Sequence, residues 1–331
     1  MAHVDAVVTG AGGFIGGHLT GALLAEGLTV RAVDRKPQED WYQVHAGAQN
    51  LVRDLSLREA CEEAMAGGAG EVYHLAADMG GMGFIESHKA DCMLSVLSST
   101  HMLLAAREHG ARRYFYSSSA CVYAADKQTD AAVLPLREED AYPAMPEDGY
   151  GWEKLFTERM ARHFREDFGL ATRTGRYHNV YGPYGTWDGG REKAPAAACR
   201  KVATAVLTGS DEIEIWGDGE QTRSFTFIDD CVTGTLRLAR SEVTEPLNIG
   251  SDQLVTVNQL YALVEEIAGV RLRHRHVPGP LGVRGRNSDN TRIVKELDWA
   301  PSVPLLTGLE KTYRWVHDQV RARRDGRPHQ R

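Results

Sequence analysis

The apolar run Ala6-Val7-Val8 before Thr9 reads as a strand buried on both faces. From residue 14 to 26 the spacing changes, with Phe14, Ile15, Leu19, Leu23 and Leu24 recurring at helical intervals. A glycine-rich turn separates the two segments, and a second apolar run at 28–33 follows. The same reading predicts strands at 71–75, 113–117 and 172–177 and helices over 85–108 and 150–168. Strands alternating with helices imply βαβ units about a parallel sheet. The predicted fold class is therefore α/β, a Rossmann-like doubly wound parallel sheet over residues 1–180 with a smaller mixed α/β C-terminal domain. After Tyr181, breaks at Gly182-Pro183, Gly185, Gly189-Gly190 and Pro278-Gly279-Pro280 shorten the elements, so 181–320 reads as a substrate-binding domain. Part of it, 229–268, is expected to return to the first domain, with an amphipathic helix at 258–268 packing on the sheet. Basic residues 321–331 read as a flexible tail, and no internal repeat is visible.

Composition narrows the class. Of 331 residues, 42% are hydrophobic and 25% charged, which is too apolar for a disordered chain. The net charge of −7 argues against a nucleic-acid partner. No run reaches the ~18 apolar residues of a membrane span, and the first strand begins too near Met1 to leave a signal peptide. Five cysteines, Cys61, Cys92, Cys121, Cys199 and Cys231, form no CxxC or Cys/His ligand spacing. A reduced, cytoplasmic protein without a metal site is expected.

Two motifs carry chemistry. In Thr9-Gly10-Ala11-Gly12-Gly13-Phe14-Ile15-Gly16, glycines 10, 13 and 16 lie between strand and helix, where backbone N–H groups can approach a pyrophosphate at the helix's positive end. Asp34, closing the second strand, can accept hydrogen bonds from ribose hydroxyls and would repel a 2′-phosphate. Arg35 pulls the other way, since a guanidinium there could welcome that phosphate; NAD is preferred over NADP. Asp54 and Leu55 are placed to contact adenine. The second motif, Tyr150-Gly151-Trp152-Glu153-Lys154, puts Tyr150 and Lys154 on one helix face at i and i+4. The ammonium is expected to depress the phenol and hold a ribose, leaving Tyr150 a base near neutrality, with Ser119 orienting the same substrate hydroxyl. Cys121, two residues beyond Ser119, is expected to face the same side by the strand period of two.

These segments, with HLAA at 74–77, SSSxxVY at 117–123 and WGDGxxxR at 216–223, resemble the extended short-chain dehydrogenase/reductases that act on nucleotide sugars. Longer strings, AADMGGMGF at 76–84, SACVY at 119–123, HNVYGPYGTWDGGREKAPAA at 178–197, WGDGEQTRSFTFIDD at 216–230 and GVRGRNSDN at 282–290, are similar to the GDP-mannose 3,5-epimerase family over about residues 6–320. The resemblance implies an isomerase with NAD as cofactor and a GDP-sugar as substrate. It implies transient oxidation at carbon 4, enolate-mediated inversion at carbons 5 and 3, and re-reduction.

It further implies catalytic roles for Ser119, Tyr150 and Lys154, with Cys121 and Lys193 as the proton-carrying pair. Cofactor contacts are implied at Gly10, Gly13, Phe14, Ile15, Gly16, Asp34, Arg35, Asp54, Leu55, Leu75, Ala76 and Ala77. Substrate contacts are implied at Gly80, Gly81, Ala120, Asn179, Glu192, Ala194, Lys201, Gln221 and Thr222. Arg223 and Arg286 suit bidentate phosphate binding, and glycines 80 and 81 would let the sugar lie close to backbone. A homodimer through the helices after Ile85 and Tyr150 is implied as well. His178 reads as structural. Ser95 stands where many members carry Asn, so one cofactor-orienting hydrogen bond is expected to differ.

Rival activities are a 4-epimerase, an epimerase/reductase, a 4,6-dehydratase and a non-catalytic NAD sensor. The dehydratase is disfavoured by Ala120-Cys121 in place of Asp-Glu, and the sensor by the intact Ser119, Tyr150 and Lys154.

Overall fold

Seven parallel strands form the central sheet of the computed structural model, which describes residues 1–279 and 282–326. They are β1 (Val4–Thr9), β2 (Val30–Asp34), β3 (Gln49–Val52), β4 (Ala69–His74), β5 (Arg113–Ser119), β6 (Thr172–Tyr177) and a short strand at Leu247–Ile249. Across the sheet the order is Leu247–Ile249, β6, β5, β4, β1, β2, β3. The order reverses between β1 and β4, and in such sheets the crevice at the strands' carboxyl ends holds the ligand. In β1, Val7 and Val8 are fully buried on opposite faces, which is why the run shows no polar alternation.

Helices α1 (Phe14–Ala25), α2 (Arg58–Met65), α3 (Met82–Ser87), α4 (Lys89–Glu108) and α5 (Tyr150–Phe168) belong to the first half. The second half adds α6 (Ala194–Thr208), α7 (Ile228–Ala239), α8 (Val257–Ala268), α9 (Thr291–Leu297) and α10 (Leu305–Arg324). Leu19 and Leu23 of α1 join Val8, Ala32 and Phe115 in the larger apolar core. Each side chain so buried contributes about 1.5–3 kcal/mol of transfer free energy.

The structure departs from the sequence reading in three places. The helix expected over 85–108 is two helices, broken at His88, whose φ of −127° and ψ of 44° lie outside the helical range. Chain returns to the sheet through Leu247–Ile249, which pairs parallel with β6. The helix at 258–268, however, packs on α6 and α10, its Leu260 and Val264 buried with Ala198, Val202, Leu309 and Val316. Residues 321–324, read as tail, are the last turn of α10, where Ala322 is buried. Residues 327–331 and Pro280 lie outside the described residues.

Candidate active site

The crevice is built first by Thr9. Its hydroxyl oxygen accepts from the N–H groups of Leu75 (3.1 Å) and Ala76 (3.2 Å) and lies 2.9 Å from His74 Nδ1. This seam sets Leu75, Ala76 and Ala77 beside the glycine turn. Gly10 has φ of +71°, and a Cβ there would stand 3.0 Å from the Leu75 carbonyl carbon and the Ala76 nitrogen. At Gly16 a Cβ would come within 2.2 Å of the Gly10 oxygen, so α1 lies against the turn because the residue has no side chain. Gly13 is the N-cap of α1 and offers no side-chain cap, with Phe14 and Ile15 half-buried behind it. Asp34 Oδ2 accepts the Gly12 N–H and Oδ1 the Lys36 N–H, both at 3.0 Å, so the carboxylate stands at the mouth of the turn. Asp54 is held below the usual carboxylate range, chiefly by the Ser56 N–H, and Leu55 is buried beside it. A cradle that any Cβ would fill, a helix N-terminus and a carboxylate at the end of β2 together fit a dinucleotide's pyrophosphate and ribose.

At the end of β5 the Ser119 hydroxyl accepts the Cys121 N–H at 3.2 Å and closes a single 3₁₀ turn over Ala120–Val122. Cys121 therefore sits in a turn, not in the extended strand on which the alternation argument relied. Its side chain still reaches the same place, packed with Tyr150, Phe84, Ile85 and Cys92. Gly151 makes this closeness feasible, since a Cβ there would lie 2.4 Å from the Cys121 carbonyl oxygen. The Ser119 hydroxyl lies near enough to Tyr150 to favour the phenol's ionised form against burial.

The Tyr150 phenol is nevertheless not depressed in this structure. Burial pushes the Tyr150 hydroxyl well above its ordinary value, with Cys121 the next cause. Lys154 Nζ lies 5.5 Å from the Tyr150 ring centroid and 3.7 Å from the Glu153 carboxylate.

Lys193 is the N-cap residue of α6. Burial lowers its ammonium below the ordinary lysine value, with Cys121 and Cys231 opposing. Among the described residues the ammonium has no hydrogen-bond or ion-pair partner. Ala194 begins α6 beside it, half-buried.

Arg223, brought down to about 10 by burial, also lies within electrostatic reach of Cys121 and donates to the Thr222 and Val283 carbonyls. Arg286 is buried, and its Nη1 lies 3.7 Å from the Cys121 sulfur while its Nε and Nη2 donate to Gln128 and Glu147. Its fork thus grips protein groups here, where an open phosphate clamp was expected.

Other expected contacts are committed locally. Gly81 accommodates the Glu192 carbonyl oxygen, which a Cβ would meet at 2.7 Å, and Gly80 the Phe84 ring; these glycines admit protein, where sugar was expected. Glu192 accepts from Arg200 (2.8 Å) and the Gly190 N–H (2.7 Å). Lys201 donates to the Glu214 carbonyl and lies over the Trp216 ring. Asn179, at φ of +38°, donates to the Ser224 carbonyl. Thr222 donates to the Ala131 carbonyl, and Gln221 Nε2 to that of Trp216.

Sequence reasoning missed Glu147, Gln128 and Asn248. Glu147 and Gln128 orient Arg286; Asn248 Oδ1 holds His178 Nε2 at 2.9 Å. Glu147 lies just before the Tyr150 motif, but nothing in its spacing marks it. Among the described residues, Glu147 Oε2, His178 Nδ1, Gln221 Oε1 and Ser224 Oγ are four of ten buried side-chain polar atoms without a hydrogen-bond partner.

Residues 6–250 match the NAD dependent epimerase/dehydratase family, and the chain belongs to it. Within that class its relatives include GDP-mannose 3,5-epimerase 1 of Oryza sativa subsp. japonica, 49% identical, and GDP-mannose 3,5-epimerase of Arabidopsis thaliana, 48% identical. Each match covers 95% of this chain and 82% of the relative. The crystal structure of UDP-glucose 4-epimerase from Thermotoga maritima with UDP-glucose superposes with a TM-score of 0.85 at 27% identity, covering 95% of this chain and 99% of that one.

Proposed function

We propose that this chain is a GDP-mannose 3,5-epimerase, converting GDP-D-mannose to GDP-L-galactose, with GDP-L-gulose as the product of inversion at carbon 5 alone. The observation that carries this reading is that Cys121 packs against Tyr150 with the buried Lys193 within electrostatic reach of its thiol, a pair that simple oxidation at carbon 4 does not require. The relatives of that name, 48–49% identical over most of the chain, support it.

NAD, which the glycine cradle and Asp34 fit, supplies a reversible hydride acceptor for carbon 4. The protein's part is proton handling. Ser119 orients the 4-hydroxyl, and Tyr150 takes its proton as the hydroxyl becomes a carbonyl and returns it at the end. Because burial favours neutral Tyr150, it gives up its proton at neutral pH only with positive charge close by; Lys154, on the same helix face, is the resident source.

Once carbon 4 is a ketone, the hydrogens on carbons 3 and 5 are acidic because the carbanion delocalises into an enolate. Inversion then needs a proton removed on one face and delivered on the other. Cys121 and Lys193 are the pair, Lys193 made fit by burial that brings its neutral amine within reach at lower pH. Arg223 and Arg286 serve the diphosphate, Arg286 by exchanging its Glu147 partner for a phosphate oxygen.

The test is incubation with GDP-mannose in deuterated water, followed by mass spectrometry of the sugar. Deuterium at carbons 3 and 5, abolished by Cys121→Ala, is expected; label at carbon 5 alone reduces the enzyme to a 5-epimerase, and unchanged, unlabelled substrate refutes the assignment.

The active form is a homodimer in this reading. Met93, Leu94 and Leu97 of α4 and Trp152 and Phe156 of α5 are exposed on two helices that pack together, an apolar face that a second copy would cover. The cytoplasm is its place, consistent with five cysteines that are all free and buried. Among the described residues, no helix is long and apolar enough to cross a membrane.

A further inference from the structure

Arg35 follows Asp34 at the end of β2, where a guanidinium would meet a phosphate on the adenosine 2′-hydroxyl. It is held elsewhere. Its Nη2 donates to Asp78 Oδ2 at 2.8 Å, and Asp78, Asp54 and Asp34 all act on its charge. Asp78 is itself fixed from three directions. Its N–H donates to the Ser95 hydroxyl of α4 at 2.8 Å, and its second oxygen faces Arg191 Nη1 at 3.4 Å. Arg191 in turn lies over the Phe84 ring, 3.6 Å from the centroid.

We propose that Asp78 is a positioning residue for cofactor choice: by holding Arg35 in an ion pair it withholds that guanidinium from a 2′-phosphate and leaves Asp34 to select NAD. A phosphate approaching Arg35 would compete with Asp78 for Nη2 and would come within the electrostatic reach of Asp34 and Asp54. Ser95, standing where Asn was expected to orient the cofactor, instead anchors the Asp78 backbone. The inference rests on the reading of the β1–α1 turn as a dinucleotide site, and the experiment separates the two.

Full-length wild type, Asp78→Asn, Asp78→Glu, Arg35→Ala and the Asp78→Asn/Arg35→Ala double variant are equilibrated with equimolar NAD and NADP and gel-filtered. The retained dinucleotide is then quantified by mass spectrometry, a readout independent of turnover. Wild type is expected to retain NAD. Asp78→Asn should raise the NADP:NAD ratio roughly two- to fivefold, the scale of one partly screened ion pair. Asp78→Glu, which keeps the charge, should leave the ratio alone, as should Arg35→Ala, because Arg35 is already withheld. The double variant should return to the wild-type ratio.

An unchanged ratio in dinucleotide-loaded Asp78→Asn overturns the proposal, as does a gain that survives in the double variant, which would assign the effect to Asp78's own charge. Should Asp78→Asn fail to fold, Arg35→Ala still decides, since any change in its ratio overturns the proposal. Wild type that retains neither dinucleotide refutes the underlying site reading.

Discussion

Lys193, proposed with Cys121 as the proton-carrying pair, would owe that role to position more than to residue type. An exposed lysine at a helix start would stay charged at neutral pH; here burial weakens the ammonium and no carboxylate compensates it. The neutral amine therefore exists at lower pH than in free lysine, and the rising limb of the pH–rate profile is expected below the ordinary lysine value of 10.5. Replacement by Arg should not rescue it, because a guanidinium keeps its proton. Lys193→Ala and Lys193→Arg should each lose about 10²–10⁴-fold in kcat, the usual worth of an acid/base group, while retaining the dinucleotide. Solvent deuterium entry measured from pH 6 to 10 checks this; a Lys193→Arg variant near wild-type rate would remove Lys193 from proton transfer.

Two glycines transmit element packing to the site, and each gives a distinct expectation. Gly16→Ala brings a Cβ within 2.2 Å of the Gly10 oxygen, so α1 must retreat from the turn, costing about 1–3 kcal/mol and most dinucleotide binding. Gly151→Ala presses on the Cys121 carbonyl oxygen instead, so its loss of kcat should exceed what its melting temperature accounts for. Calorimetry with the deuterium assay separates them; equal behaviour in both variants would contradict this division.

The turn around Gly16 was legible because a strand, glycines and a helix pattern share one short window. The Cys121 turn was not: β5 ends through a hydroxyl–amide hydrogen bond at Ser119, and the sequence around it reads as continuous strand. The break at His88 was equally hidden, having no Gly or Pro beside it. Arg286 was read as a phosphate-binding cation, but its partners Gln128 and Glu147 lie 158 and 139 residues away along the chain, beyond any local pattern.

On the scale of the whole molecule, the exposed face of α4 and α5 makes an assembly prediction. Leu97→Glu with Phe156→Glu should yield monomers in sedimentation with the parallel sheet intact; a persistent dimer would place the interface elsewhere. Two buried histidines tie folding to pH. His74, bonded to Thr9 across β1 and β4, is brought by burial to about 3, and His178, bonded to Asn248 beside β6, to about 4. Both folded values lie below the ordinary 6.5. Above 6.5 neither state binds these protons, so the contribution is fully present; as pH falls, the unfolded chain takes protons that the fold refuses. Stability should therefore decline from about pH 6.5 towards 4, by about 1.4 kcal/mol per pH unit for each histidine. Glu138, raised by burial, acts in the opposite sense, but His18, lowered by burial as well, adds to the two histidines. Melting temperatures measured from pH 7.5 to 4.5 should fall steeply in wild type and less steeply in His178→Asn. A melting temperature constant down to pH 5 would mean that these histidines accept protons within the fold, and the seam from Thr9 to His74 would then have to tolerate an imidazolium.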